Sequence, residues 1–92
     1  MTVNICGIPH EIIETEDSFN ADATHFGQIN YIKCNIRINK DMSEPMKRET
    51  ICHEMLHGML VHLGYHEQSQ DETFVQALAN AIMQGFDIHI MI

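Results

Sequence analysis

Apolar and polar residues alternate in the middle of the chain, at the spacing of a β-strand with one buried face. The alternating set consists of Ile32, Cys34, Ile36 and Ile38, separated by Lys33, Asn35 and Arg37. Residues 27–30 form a candidate hairpin partner, with the chain reversing within residues 30–34. Further upstream, apolar pairs in residues 1–16 flank Gly7-Ile8-Pro9. A glycine and a proline together favour a turn, so this region predicts two short strands.

A helical repeat replaces the alternation after residue 43. Ser43 is a predicted N-cap, and Glu44 and Pro45 suit the first turn of the helix that follows. The helix is expected to end near Leu63, because Gly64 is a natural terminator. The positions predicted to face the core are Met46, Ile51, Leu56, Met59, Leu60 and Leu63.

A second helix is predicted from a capping box formed by Ser69 and Glu72, and it extends to Gly85. Residues 17–26 are polar and unpatterned and predict a loop or an irregular helical turn, whereas residues 86–92 alternate and predict a terminal strand. The apolar positions of the second helix are Phe74, Val75, Leu78, Ala79, Ile82 and Met83. Strands followed by helices predict one α+β domain over residues 1–92, with a small antiparallel or mixed sheet packed on two main helices.

Composition narrows the classes of function. The formal net charge of −8 disfavours nucleic acid and anionic membrane surfaces as partners. No apolar run approaches the roughly 18 residues of a membrane span, and the N-terminus lacks the basic and apolar regions of a signal peptide. The cysteines Cys6, Cys34 and Cys52 are odd in number and form no C-x-x-C pair. They indicate reduced thiols in a cytoplasmic protein, with Cys34 and Cys52 as core residues.

The strongest chemical signal is His53-Glu54-Met55-Leu56-His57, in the first predicted helix. Residues four apart lie on one face of a helix, so His53 and His57 can bind one ion. Glu54 follows the first histidine and can reach a water at the same ion. This H-E-x-x-H arrangement is typical of zinc hydrolases, in which the glutamate acts as general base.

A catalytic zinc site needs a third protein ligand. A histidine six residues after His57 would complete one common pattern, but that position is Leu63. A glutamate on a second, antiparallel helix is the alternative, and Glu72 is the best placed because the connection can return the chain to the level of His57. Glu67, Asp71 and His66 remain further candidates. The other histidines, His10, His25, His62 and His89, are expected at the surface or half-buried.

Several segments together resemble small phage and prophage metallopeptidase-like proteins, of the ImmA/IrrE-type and minigluzincin groups of the zincin superfamily. The resemblance covers about residues 25–84 and rests on Gly27-Gln28-Ile29-Asn30-Tyr31, Ile36-Arg37-Ile38, the H-E-x-x-H motif, Asp71-Glu72-Thr73-Phe74-Val75 and Leu78-Ala79.

The resemblance implies zinc, with His53, His57 and Glu72 as ligands and Glu54 as general base. It also implies an edge strand beside the active helix, for which Ile36–Lys40 is the expected binding site of an extended peptide. ImmA-type proteins act on phage repressors, so a repressor-like protein or peptide substrate is implied by analogy.

The chain departs from the larger gluzincins at Gln76, where those proteins place an aspartate that orients the first histidine. No residue is marked as the oxyanion stabiliser, and the candidates are Tyr65, His62, His66 and Tyr31. The leading hypothesis is a zinc metallopeptidase. The alternatives are a zinc-stabilised module that binds a protein such as a repressor, and a zinc hydrolase with a non-peptide substrate.

Overall fold

Four strands form a single mixed sheet in a computed structural model that describes residues 1–16 and 26–86. The strand order is β1-β2-β4-β3; β2 and β4 are parallel, and the other neighbouring pairs are antiparallel. The strands are β1 (Thr2–Ile5), β2 (Ile8–Thr15), β3 (Gly27–Asn30) and β4 (Asn35–Asn39). The predicted terminal strand and most of the predicted loop fall on residues 87–92 and 17–25, which lie outside the described residues.

Three helices follow the sheet: α1 (Glu44–His62), α2 (His66–Gln70) and α3 (Glu72–Gly85). The predicted limits of the first helix are confirmed. The side chain of Ser43 accepts a hydrogen bond from the main-chain N–H of Met46, and Gly64 adopts a φ of 88° directly after the helix. With the mixed sheet, these helices confirm the predicted α+β class. Within the described residues no helix combines the length and the apolar character that a membrane crossing requires.

The predicted capping box at the start of the second helix is wrong. Ser69 lies inside α2, where it is buried and its hydroxyl donates a hydrogen bond to the main-chain oxygen of His57. The N-cap of α3 is Asp71, whose carboxylate accepts from the main-chain N–H of Phe74. Asp71 is the N-cap because it immediately precedes the helix, whereas the hydroxyl of Ser69 is bonded to the buried main-chain oxygen of His57.

Helix α1 lies between the sheet and α3 and contributes to two apolar clusters. The first joins α1 to the sheet through Ile5, Ile12, Ile36, Ile38 and Ile51. The second joins α1 to α3 through Cys52, Leu56, Val75 and Ala79. The predicted core positions Leu63 and Phe74 are exposed, because Leu63 is the residue that ends α1 and Phe74 lies away from the buried side of α3. His10, expected at or near the surface, is instead buried in β2.

Strand β4 begins at Asn35, whereas the alternation predicted a strand from Ile32. Ile32 is 96% exposed, because residues 31–34 form the turn rather than the strand. The side-chain oxygen of Asn30 accepts hydrogen bonds from the main-chain N–H groups of Ile32 and Lys33 and so stabilises the turn. Cys34, expected in the core, ends the turn at a φ of 52° and is half-buried.

Two glycines allow β3 to lie close against α1. A Cβ atom on Gly58 would come within 3.1 Å of side-chain atoms of Ile29 and Ile5. A Cβ atom on Gly27 would lie 2.6 Å from the methyl group of Thr50. Glycine at these positions therefore brings the edge strand up to the helix that carries the histidine motif.

Candidate metal centre

His53 and His57 lie one helical turn apart on α1 and face the same space. Their ring centroids are 4.8 Å apart, and their Nε2 atoms are 3.1 Å apart. The four-residue spacing therefore brings the two nitrogens together, as the sequence predicted.

Glu72 completes the group from the first turn of α3. One of its carboxylate oxygens is 2.9 Å from His53 Nε2, and the other is 3.0 Å from His57 Nε2. Helix α2 forms the connection that returns the chain to this level. The group of His53, His57 and Glu72 could hold a metal ion. The three further candidates are not part of this group: Glu67 is exposed in α2, Asp71 caps α3, and His66 is exposed at the start of α2.

The donor atoms of this group suit a metal ion. The main-chain oxygen of Ser69 lies 2.5 Å from His57 Nδ1, and a carbonyl oxygen only accepts hydrogen bonds. Nδ1 of His57 therefore carries a proton, and Nε2, which faces His53 and Glu72, is the nitrogen left to bind a metal ion. In a tetrahedral zinc site with bonds of about 2.0–2.1 Å, ligand atoms are roughly 3.3 Å apart. The separations of 2.9–3.1 Å are close to that requirement.

Glu54 lies beside the group and is 8% exposed. One of its carboxylate oxygens is 4.0 Å from His53 Nε2, and the carboxylate accepts a hydrogen bond from the main-chain N–H of Ile29. Burial raises the pKa of Glu54. The neighbouring side chains of His57 and His53 lower this pKa, and the charge of Glu72 raises it. The net effect is a raised pKa, which favours a carboxylate that accepts and returns protons.

Among residues 1–16 and 26–86 no strand pairs with the outer edge of β3, and this edge lies beside the centre. The main-chain N–H of Asn39 donates a hydrogen bond to the main-chain oxygen of Phe26. Hydrogen-bonded positions alternate along an antiparallel pair, so Gln28 and Asn30 are the residues of β3 whose main-chain groups face β4. The main-chain groups of the intervening residues, Gly27 and Ile29, therefore face away from β4. The predicted peptide-binding edge, Ile36–Lys40, is wrong because β4 lies inside the sheet between β2 and β3.

Two cavities adjoin Glu54 and Glu72 on either side. The first has a volume of about 330 Å³, and Phe26 and Met46 contribute apolar walls. The second has a volume of about 420 Å³ and a more polar lining that includes Tyr31. Its lining also includes His57, His66, Ser69 and Gln70.

Of the four candidates for the oxyanion stabiliser, Tyr31 and His66 line the second cavity, whereas Tyr65 and His62 line neither of the two. Burial raises the pKa of Tyr31, a hydrogen bond with the side chain of Ser69 lowers it, and the charge of Glu54 raises it. The net shift is upward, so Tyr31 is a protonated hydrogen-bond donor at neutral pH.

The four residues predicted for the site, His53, Glu54, His57 and Glu72, lie together, but the side chains and carbonyl groups that support them were not predicted. The sequence predicts Ser69 as a helix cap, whereas the main-chain oxygen of Ser69 fixes the ring of His57. Gln76 had been noted as a departure, but its side-chain oxygen lies 2.7 Å from His53 Nδ1. The spacing of Gln76 four residues after Glu72 was the available signal, because it places both on one face of α3.

Comparisons of the chain with protein-family models, with curated proteins and with solved structures find no significant match.

Proposed function

We propose that this chain is a zinc-dependent metallopeptidase of the phage type, with His53, His57 and Glu72 as the metal ligands. The observation that supports the proposal best is the convergence of these three side chains beside the buried carboxylate of Glu54. Two imidazoles and one carboxylate, with room beside them, are the donor set of hydrolytic zinc enzymes. The same donors also suit ferrous iron, so metal analysis is the first test.

Zinc held by these residues supplies Lewis acidity, which activates water and polarises a carbonyl group. Glu54 accepts the proton of the attacking water at its carboxylate, and then returns that proton to the leaving amine.

The substrate proposed is an extended segment of a protein, docked along the free edge of β3. The main-chain groups of Gly27 and the main-chain oxygen of Ile29 face that edge, whereas the N–H of Ile29 is bonded to Glu54. The cavities on either side of Glu54 offer space for side chains. Main-chain hydrogen bonds of this kind give affinity with little sequence preference. We propose a phage repressor in the cytoplasm as the substrate, because the resemblance implies a protein of this kind.

The decisive experiment measures the metal content and thermal stability of wild type, Glu72→Ala and Glu67→Ala after zinc is supplied. One zinc per chain is expected in wild type and in Glu67→Ala, because Glu67 is an exposed carboxylate of α2 outside the group. Glu72→Ala should lose zinc and its stabilising effect. A wild type that binds no zinc would overturn the proposal, and unchanged binding by Glu72→Ala would remove that ligand.

Peptidase activity is then assayed with repressor and with unstructured peptide substrates, for wild type and Glu54→Gln at equal zinc content. Loss of cleavage in Glu54→Gln is expected. Zinc binding without cleavage by the wild type would instead support the zinc-stabilised binding module. Cleavage that persists in Glu54→Gln would show that this carboxylate is not the base.

A further inference from the structure

We infer that Glu49 is a positioning residue for His53, acting through the side-chain amide of Gln76. Glu49 lies one turn before His53 on α1, and Gln76 lies one turn after Glu72 on α3. The inference rests on the proposed metal site, and it explains how the chain orients its first histidine without an aspartate at position 76.

The hydrogen bonds around Gln76 fix which way its amide points. Its Nε2 atom is 2.6 Å from a carboxylate oxygen of Glu49 and 3.0 Å from the side-chain oxygen of Asn80. A carboxylate only accepts hydrogen bonds, so the amide nitrogen must face Glu49. Asn80 carries an amide that can turn either way, and Glu49 is therefore the group that decides the orientation.

This orientation in turn decides the protonation pattern of His53. With the nitrogen of Gln76 towards Glu49, its oxygen faces His53 Nδ1 at 2.7 Å. Because that oxygen only accepts, Nδ1 of His53 carries a proton, and Nε2, which faces Glu72, is the nitrogen left to bind a metal ion. The main-chain oxygen of Ser69 imposes the same pattern on His57. The side-chain oxygen of Gln76 and the main-chain oxygen of Ser69 thus orient the two imidazoles so that each Nε2 can bind a metal ion.

In this arrangement the neutral amide of Gln76 lies between the carboxylate of Glu49 and the imidazole of His53. Glu49 accepts from the amide, and the amide accepts from the imidazole, so polarisation passes along the row of hydrogen bonds. Exchanging the two side chains would reverse the hydrogen bond between positions 49 and 76 and would keep the direction of the bond from His53. In Glu49→Gln/Gln76→Glu the carboxylate faces His53 directly, and the amide at position 49 donates to it. The exchanged pair therefore preserves each hydrogen bond between the two helices.

The test measures zinc affinity by competition with a chelator for wild type, Glu49→Leu, Gln76→Ala and the exchanged double variant. Loss of such a supporting partner typically weakens metal binding about 10–100-fold. We expect that loss for Gln76→Ala, a smaller loss for Glu49→Leu, and recovery in the double variant. Glu44→Gln is the matched control, because it removes one exposed charge from the same helix without touching Gln76. Failure of the double variant to recover affinity would overturn the inference.

A second measurement needs no metal. Nitrogen-15 NMR of zinc-free Glu72→Ala, which removes the second acceptor beside His53 Nε2, should show the proton of His53 on Nδ1 at a pH where the imidazoles are neutral. In that background Glu49→Leu should show a mixture of the two ring tautomers, and Glu44→Gln should leave the tautomer unchanged. A proton on Nε2 of His53 in Glu72→Ala would overturn the inference, whether or not wild type binds zinc. The expected tautomer together with no zinc binding by wild type would overturn the proposed function alone.

Discussion

The carboxylate of Glu54 on α1 accepts a hydrogen bond from the main-chain N–H of Ile29 on β3. The proposed base is thus joined to the strand proposed to hold the substrate. This contact lowers the pKa of Glu54, but burial outweighs it and raises the pKa overall. Its charged form is therefore less favourable in the folded protein than in the unfolded chain.

Glu54→Gln should stabilise the zinc-free protein at neutral pH while abolishing the proposed activity. Because its pKa is raised on folding, the folded state binds this proton more tightly than the unfolded state does. Wild-type stability consequently falls as the pH rises through the unfolded pKa, near 4.3, and then the raised folded pKa. A neutral glutamine avoids that cost. Each 1 kcal/mol gained would raise Tm by about 4–8 °C in a domain of this size.

Thermal unfolding of both proteins in chelator, from pH 4 to pH 8, tests this expectation. The difference in Tm should be small at the acidic end, where Glu54 is protonated, and should increase towards neutral pH. A Glu54→Gln variant that is less stable than wild type at pH 7 would contradict the predicted sign.

Tyr31→Phe should lower kcat without loss of zinc. Tyr31 lines the same cavity as Glu54 and His57, and its hydroxyl is hydrogen-bonded to the side chain of Ser69. Removal of a single donor to a developing oxyanion typically costs about 100–1,000-fold in kcat. Tyr65→Phe is the control, because Tyr65 is exposed and lines neither cavity. Equal kcat values for Tyr31→Phe and wild type would exclude Tyr31 as the oxyanion stabiliser.

The periodic part of the sequence predicted the fold class and the first helix well, because a spacing of two or four residues directly determines which face a side chain occupies. Errors arose where a local signal competed with a tertiary contact. The position of Ser69 in the sequence is typical of a helix cap, yet its hydroxyl donates a hydrogen bond to the buried main-chain oxygen of His57. Ile32 continues an alternating pattern, yet the side chain of Asn30 ends the strand early. Neither competing contact is encoded by periodicity.

The candidate site shows the same division. His53 and His57 could be paired from spacing alone, and chain geometry favoured Glu72 as their partner. The role of Gln76 could not be predicted, because an amide is informative only when the groups on both of its sides are known. The prediction that Ile36–Lys40 forms an edge strand is wrong, because strand order in a mixed sheet is not determined by the alternation within one strand.

Ser69→Ala should lower both stability and zinc affinity. The hydroxyl of Ser69 donates to the main-chain oxygen of His57 over 3.1 Å, and its main-chain oxygen positions His57 Nδ1. Loss of a buried hydrogen bond costs about 1 kcal/mol, or roughly 4–8 °C in Tm. Ser43→Ala is the control, because it removes a helix cap of similar strength far from the ligands. Calorimetry and chelator competition should show lower Tm in both variants and weaker zinc binding only in Ser69→Ala; equal zinc affinities would contradict the proposed link.

Gly27→Ala should destabilise the domain by about 1–3 kcal/mol, the typical cost of overpacking. The added Cβ atom would lie 2.6 Å from the methyl group of Thr50 and 3.1 Å from the main-chain oxygen of Arg37. Thr50→Ser removes that methyl group but keeps the hydroxyl that lies 3.7 Å from the sulfur of Met42. Gly27→Ala should therefore cost less in a Thr50→Ser background than in wild type.

A double-mutant cycle measured by chemical denaturation gives this coupling directly. Strictly additive losses would mean that β3 moves away from α1 instead of pressing on Thr50. Such a movement would also displace the main-chain N–H of Ile29 from Glu54, since both contacts join the same strand to the same helix. The coupling between positions 27 and 50 therefore reports how rigidly the edge strand is held against the proposed catalytic base.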